Sequence, residues 1–255
     1  MLKAILIGSP NSGKSLLFNR LTGLNQKVAN FPGITVDISS GNSLTNPNLQ
    51  FVDYPGVYSL HSISEEERIS IKAFKKALDD TDLKFVICIL DATRLEKGLN
   101  FALQVIRECQ LRNKSILIAA NMIDVINNHS LQLDTKGLSQ ALNVPVIPLS
   151  AKTGIGIEEL QTYLDDDKKA SNQQKQQIDA RDADLRLLAH KLTSQFGPKG
   201  DLLVRTQARL DTFFLHSWFG GAAFFLIMYL LFQSIFTWAA PVMDAVETSL
   251  ALIAS

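Results

Sequence analysis

From the N-terminus to about residue 165 the chain alternates short apolar, β-branched runs with segments whose apolar residues recur at helical spacing. The runs KAILIG, LQFVDY, KFVICIL, KSILIAAN and VPVIPLS predict strands. KSLLFNRLTG, SEEERISIKAFKKAL, GLNFALQVIRECQLRN, a short stretch after Asn121 and GIEELQTYLDD predict the helices between them. Apolar strands alternating with crossover helices imply a mainly parallel sheet covered on both faces, so the expected fold class is α/β. Its ligand loops should lie at the carboxyl ends of the strands. Ser64, followed three residues later by Glu67, fits a capping box opening the second helix. The opening MLKAILIGSP reads as a first strand and not as an export signal, because its apolar run is short and flows into a glycine-rich loop.

Beyond Leu164 the pattern breaks into DDDKKASNQQKQQ, a polar, charge-mixed run that predicts an exposed linker or the tail of a helix, and a domain boundary. DARDADLRLLAHKLTSQF then spaces its apolar residues helically until GPKG stops it, and LLVRTQARLDTFFLHS is a second helical pattern. From Trp218 to Trp238 the chain reads WFGGAAFFLIMYLLFQSIFTW, 21 residues without Asp, Glu, Lys or Arg. At about 1.5 Å per residue such a helix spans roughly 30 Å of hydrocarbon. Its apolar residues occupy every face and tryptophans bracket it, which favours a membrane span over a buried helix. Lys199, Arg205 and Arg209 precede it, placing residues 1–212 on the cytoplasmic side by the positive-inside tendency. Gln233, strongly polar within this span, is either a helix contact or a tolerated amide. Three parts are therefore expected: 1–165, a small helical region over 166–212, and the start of a membrane domain over 213–255.

Composition adds little to this division. Lys+Arg and Asp+Glu both total 25, so no excess positive charge advertises a nucleic-acid partner. Cys88 and Cys109 lack metal-like spacing and read as reduced core thiols. His61, His129, His190 and His216 are scattered without ligand spacing. Glu65, Glu66 and Glu67 could attract a metal cation, but an acidic first helical turn explains them more simply.

The motifs change the picture. Gly8, Ser9, Pro10, Asn11, Ser12, Gly13, Lys14 and Ser15 match the P-loop pattern G-x-x-x-x-G-K-[ST], directly after a predicted strand and before a predicted helix. In that context backbone N–H groups face phosphates at a helix N-terminus. Lys14 would reach the β- and γ-phosphates and the Ser15 hydroxyl would coordinate magnesium. Asp53 closes the strand LQFVDY and would hold the magnesium through water, with the Gly56 N–H free for the γ-phosphate. Between them VANFPGITVD offers Gly33, Ile34 and Thr35, the last a magnesium ligand that depends on the γ-phosphate or else an ordinary edge-strand threonine. Asn121, Met122 and Asp124 form NMID at a strand end, where the Asp124 carboxylate can accept two hydrogen bonds from guanine that adenine cannot supply. Ser150, Ala151 and Lys152 close the last strand and can present the Ala151 N–H to the guanine carbonyl. These signals together predict a magnesium-dependent GTPase that binds GTP and GDP.

In this order the motifs resemble the translation-factor-related GTPases, with Met122 standing where lysine is usual. FPGITVD, DYPGVYSL and RTQARLDTFFLHSWFGGAAFFLIMYLLFQSIFTW narrow the likeness to the N-terminal part of the bacterial ferrous-iron transporter B family, FeoB. The resemblance implies a helical region resembling a dissociation inhibitor, a location in the inner (cytoplasmic) membrane with several spans in the full protein, and the rest of the membrane transport domain as partner. Small accessory transport proteins and self-association are further partners it leaves open, and nucleic acid is not among them. Val57 stands where many GTPases carry a water-orienting glutamine. Relatives with an apolar residue there and an asparagine in the P-loop tend to be potassium-stimulated, so the resemblance implies that Asn11 helps bind potassium near the phosphates. Lys14, Thr35 and Gly56 would complete the catalytic set. The competing expectation is a soluble GTPase of ribosome assembly or tRNA modification, and a weaker one a membrane scaffold without transport.

Overall fold

The structure is a computed structural model that describes residues 1–23, 27–30, 37–61, 65–166, 182–198 and 217–234. Seven strands form one sheet: β1 (Leu2–Gly8), β2 (Lys27–Asn30), β3 (Asp37–Asn42), β4 (Leu49–Asp53), β5 (Leu83–Asp91), β6 (Ser115–Asn121) and β7 (Val146–Pro148). Their order across the sheet is β2-β3-β4-β1-β5-β6-β7. β4, β1, β5, β6 and β7 run parallel, and β3 runs against both β2 and β4. The mainly parallel sheet is as the pattern predicts. The β2–β3 hairpin at one edge was not legible, because KVAN and DISSGN are short and offer few apolar, β-branched positions.

The central strands show why both faces must be covered. Ala4 and Leu6 of β1, Phe85, Ile87 and Ile89 of β5, and Leu117 and Ala119 of β6 turn to one side. There they bury against Leu17, Phe18 and Leu21 of α1 (Lys14–Thr22) and Leu160 and Leu164 of α6 (Ile157–Asp165). The intervening residues Ile5, Ile7, Val86, Cys88, Leu90, Ile116 and Ile118 turn to the other side. That face is covered by α2 (Glu65–Ala77), α3 (Leu95–Leu111), α5 (Thr135–Leu142) and a helix from beyond the linker. Period-two alternation with both faces apolar is what makes these strands read as continuous hydrophobic runs. A 3₁₀ turn over Ala92–Arg94 leads into α3, and α4 (Ile123–Asn128) follows β6. Both cysteines are free and buried, and burial pushes the Cys88 thiol up to about 12.

The linker residues 167–181 lie outside the described residues, as does Ser64 of the expected capping box, although α2 does begin at Glu65. α7 (Asp182–Phe196) packs on α3 and α5 and sends Leu185, Ala189 and Leu192 into the same core as Phe74 and Phe101. Two leucines buried this deeply stabilise the contact by about 3–6 kcal/mol. Asp134 and Phe196 add a backbone hydrogen bond of 3.1 Å.

Residues 200–255 form a separate unit, of which α8 (Ser217–Gln233) is described. Its 17 residues include no charged side chain, and Phe224, Phe225, Leu226 and Tyr229 are all more than half exposed. Among the described residues no helix is long and apolar enough to cross a membrane. The expected span Trp218–Trp238 runs past Ser234 into residues outside the description.

Candidate functional site

The site is built at the carboxyl ends of β1, β4, β6 and β7. β1 ends in Gly8, whose close approach to neighbours leaves no room for a side chain: a Cβ there would sit 2.7 Å from the Ile89 carbonyl oxygen and 2.8 Å from Ser12 Oγ. The loop then curls through Asn11 at φ 63° and Gly13 at φ 85°, left-handed conformations that turn the chain into α1. Ser9, Pro10, Asn11, Gly13, Lys14, Ser15 and Gly56 line a cleft of ≈ 410 Å³ at the start of that helix. A larger cleft of ≈ 900 Å³ lies between α5, β7 and α6, but none of the P-loop residues, Asp53 or Asp124 lines it. Chemistry, and not size, selects the P-loop cleft.

Asp53, at the end of β4, faces this cleft. Its carboxylate forms a buried ion pair with Lys14 and accepts a long 3.4 Å contact from Ser15 Oγ. Burial raises the Asp53 pKa above the ordinary carboxylate value, and the Lys14 charge offsets part of that rise. A hydroxyl and a carboxylate side by side are hard oxygen donors suited to a divalent cation. Ser12, almost fully buried, leaves its hydroxyl without a hydrogen-bond partner among the described residues. These features fit a phosphate-and-magnesium cradle.

After Asp53 the chain turns back across the loop. The Tyr54 N–H donates to the Leu6 carbonyl and the Val57 N–H to the Gly8 carbonyl, both at 3.2 Å. Gly56 lies so close to the P-loop that a Cβ would sit 2.9 Å from Pro10 N. Val57 itself is 2 % exposed and belongs to the hydrophobic core. Its side chain is therefore not a poor substitute for a water-orienting glutamine but a packing residue. Gly33, Ile34 and Thr35, expected to complete the site, lie outside the described residues.

The base-reading loops are joined to the phosphate loop by one side chain. Asn121, 3 % exposed at the end of β6, donates from Nδ2 to the Ser12 carbonyl at 2.8 Å and accepts at Oδ1 from the Ala151 N–H at 2.8 Å. The Ala151 N–H, expected to meet a guanine carbonyl, is here engaged by Asn121, because a buried N–H needs a partner. A guanine carbonyl would have to share that donor. Met122 adopts φ 66° and starts α4, which sets Asp124 in the first helical turn. Ser150 is fully buried and its Oγ accepts from the Thr153 N–H at 3.1 Å, fixing the turn that carries Lys152.

The family model for ferrous iron transport protein B matches residues 2–164. The chain belongs to the ferrous iron transport protein B family. It is 32% identical to the Fe(2+) transporter FeoB of Leptospira biflexa over 95% of this chain and 44% of that protein. The corresponding figures for the Fe(2+) transporter FeoB of Campylobacter jejuni are 31%, 97% and 40%. The chain thus spans less than half the length of these curated relatives. Among solved structures, the cytosolic domain of the T. maritima FeoB iron transporter in its GMPPNP form shares 32% identity, covers 71% of this chain and 67% of that one, and superposes with a TM-score of 0.57.

Two residues of this FeoB-family site were not singled out from the sequence. Arg20, in the last turn of α1, donates through Nε to the Ala151 carbonyl and through Nη2 to the Lys152 carbonyl at 2.5 Å. Gln104 on α3 holds the segment after Gly56. Both act across more than forty residues of sequence, so no local pattern could mark them.

Proposed function

We propose that this chain is the GTP-binding and slowly GTP-hydrolysing regulatory module of a ferrous-iron membrane transporter. The observation that carries the reading is the double engagement of Asn121, which ties the end of β6 that leads to Asp124, the turn bearing Lys152 and the P-loop into one unit. A base held by Asp124 then has its phosphates fixed over Gly13, Lys14 and Ser15. Relatives solved as GDP and GMPPNP forms support a guanine nucleotide here.

Lys14 would leave Asp53 to reach the β- and γ-phosphates, and the Gly56 N–H would meet the γ-phosphate. Ser15, Asp53 and Thr35 would hold magnesium, and Asn11 potassium; these ions supply charge neutralisation as phosphoryl transfer proceeds. With Val57 buried, orienting water falls to backbone groups of the Thr35 loop or of the segment after Gly56, which is why turnover in isolation is slow. α7, packed on α3, would give the nucleotide state a route into the helical region.

The exposed apolar surface of α8 favours the membrane reading over a soluble GTPase of ribosome assembly or tRNA modification. An all-round apolar helix needs lipid or a protein bundle to cover it. Residues 218–238 would then be the first membrane span, with 1–212 on the cytoplasmic side and the rest of the transport domain as partner.

Two measurements test this together. Equilibrium binding should favour GTP over ATP by at least about a hundredfold, since a site built to hydrogen-bond one base leaves polar groups unpaired with the other. Deletion of the full-length gene should abolish ferrous-iron uptake by the cell. Equal affinities would remove guanine recognition, and unchanged uptake would remove the transport assignment.

A further inference from the structure

We propose that Gln104 is a positioning residue for GTP hydrolysis, acting through the four residues that follow Gly56; the proposal rests on the GTPase reading above. Gln104 lies on α3, far in sequence from any nucleotide motif, and is only 4 % exposed. Its Oε1 accepts from the Leu60 N–H at 2.8 Å and from the Ser59 hydroxyl at 3.0 Å. Ser59 Oγ in turn accepts from the His61 N–H at 3.0 Å.

The same segment is tied at its other end to the phosphate loop. The Val57 N–H donates to the Gly8 carbonyl and Gly56 rests against Pro10. Val57 and Leu60 are buried, while Tyr58 between them is 64 % exposed. The result is a strap from Val57 to Leu60, fastened to the P-loop at one end and to Gln104 at the other. Its backbone is among the groups left to orient water, because the Val57 side chain is turned into the core.

A buried carboxamide that merely satisfies a loop N–H is an ordinary structural feature. What distinguishes Gln104 is that its bond to the Leu60 N–H lies only three residues from the Val57–Gly8 bond, so both ends of one short segment are fixed. Misplacing a reacting geometry by about 1 Å lowers the rate about a hundredfold. A partial release of one end should therefore slow hydrolysis. Gln104 touches no residue of the P-loop or of the base-reading loops in the contacts described, so nucleotide affinity should be left alone. The strap and the core contact with α7 share one helix, so the segment's position is also available to the helical region through α3.

The test uses the whole 255-residue chain in detergent, with Gln104→Met, which keeps length and removes the acceptor, and Gln104→Glu, which keeps an acceptor oxygen in either protonation state. The expected result for Gln104→Met is kcat lower by about tenfold, KM for GTP and affinity for GDP within about twofold, and faster hydrogen exchange at the Leu60 amide. Gln104→Glu should recover kcat to within about threefold of the parent. An unchanged kcat in Gln104→Met overturns the proposal. So does a fall in kcat matched by an equal loss of nucleotide affinity, or a failure of Gln104→Glu to recover. If the parent chain itself binds GTP without turnover, the GTPase reading fails and the role of Gln104 falls with it. A parent that turns over beside an equally active Gln104→Met sinks the positioning role alone.

Discussion

Asn121 Nδ2 donates to the Ser12 carbonyl at 2.8 Å, and a Cβ on Gly13 would come within 2.2 Å of that same nitrogen. The end of β6 is thus packed directly on the P-loop. Asn121→Ala leaves the Ser12 carbonyl and the Ala151 N–H buried and unpaired. The expected loss is about 2–4 kcal/mol of stability, read as a lower urea midpoint at unchanged m. GTP and GDP affinities should fall together, because the lost fastening serves both. A midpoint shift below about 0.5 kcal/mol would show that Asn121 does not hold the loops together.

The Lys14–Asp53 ion pair makes a second prediction with opposite signs in two buffers. Without magnesium, Asp53→Asn releases Lys14 toward the phosphates, so nucleotide should bind as tightly as to the parent or more tightly. With magnesium, the variant loses a carboxylate that helps to hold the ion, and the enhancement of GTP binding by magnesium should shrink by about tenfold or more. Titrations of fluorescent GTP in EDTA and in magnesium separate the two. Weakening in both buffers by the same factor would contradict the role given to Asp53.

In the proposed reading Asp124, in the first turn of α4, selects the base. Asp124→Ala removes two charge-assisted bonds to the guanine edge, so GTP affinity should fall by more than about a hundredfold while thermal stability changes little. Binding of ATP should be unaffected at its low level. A smaller gap between GTP and ATP in the parent than in the variant would exclude Asp124 as the reader.

The α/β pattern, the P-loop and NMID were legible because each is local: period-two strands, helical spacing and residue types demanded by backbone geometry. The β2–β3 hairpin was not, since Ser39, Ser40, Gly41 and Asn42 carry weak strand propensity and are placed by pairing with β4. The burial of Val57 was equally hidden. Val57 stands where many GTPases carry a water-orienting glutamine, and only the fold shows its side chain packed in the core while its N–H donates to the Gly8 carbonyl. Arg20 and Gln104 read as ordinary positions of amphipathic helices, and only the fold brings them to carbonyls and amides distant in sequence.

Acid stability follows from two carboxylates away from the site. A hydrogen bond from Lys3 holds Asp80 below its ordinary value. Burial alone would raise Glu108, but its bonds to Lys75 at 2.9 Å and to Arg112 at 2.5 Å outweigh this and lower it. Both groups bind protons less readily folded than unfolded, so their contribution is complete above the unfolded values of about 4 and is lost as pH falls through the folded ones. Asp53 works the other way, since its raised pKa means that acid relieves a buried charge. Urea midpoints should hold from pH 7 to about 5 and drop below about 4. Lys75→Met should lower the midpoint at neutral pH and flatten the drop, and Asp53→Asn should steepen it. A midpoint that rises on acidification would reverse these assignments.

A buried Val57 would leave hydrolysis to an ion at Asn11 and to backbone-positioned water. The most direct measurement is GTP turnover by the whole chain in matched potassium and sodium buffers, with Asn11→Ala alongside. Turnover should be faster in potassium by about tenfold or more, and Asn11→Ala should erase the difference. Equal rates in the two salts would contradict the account.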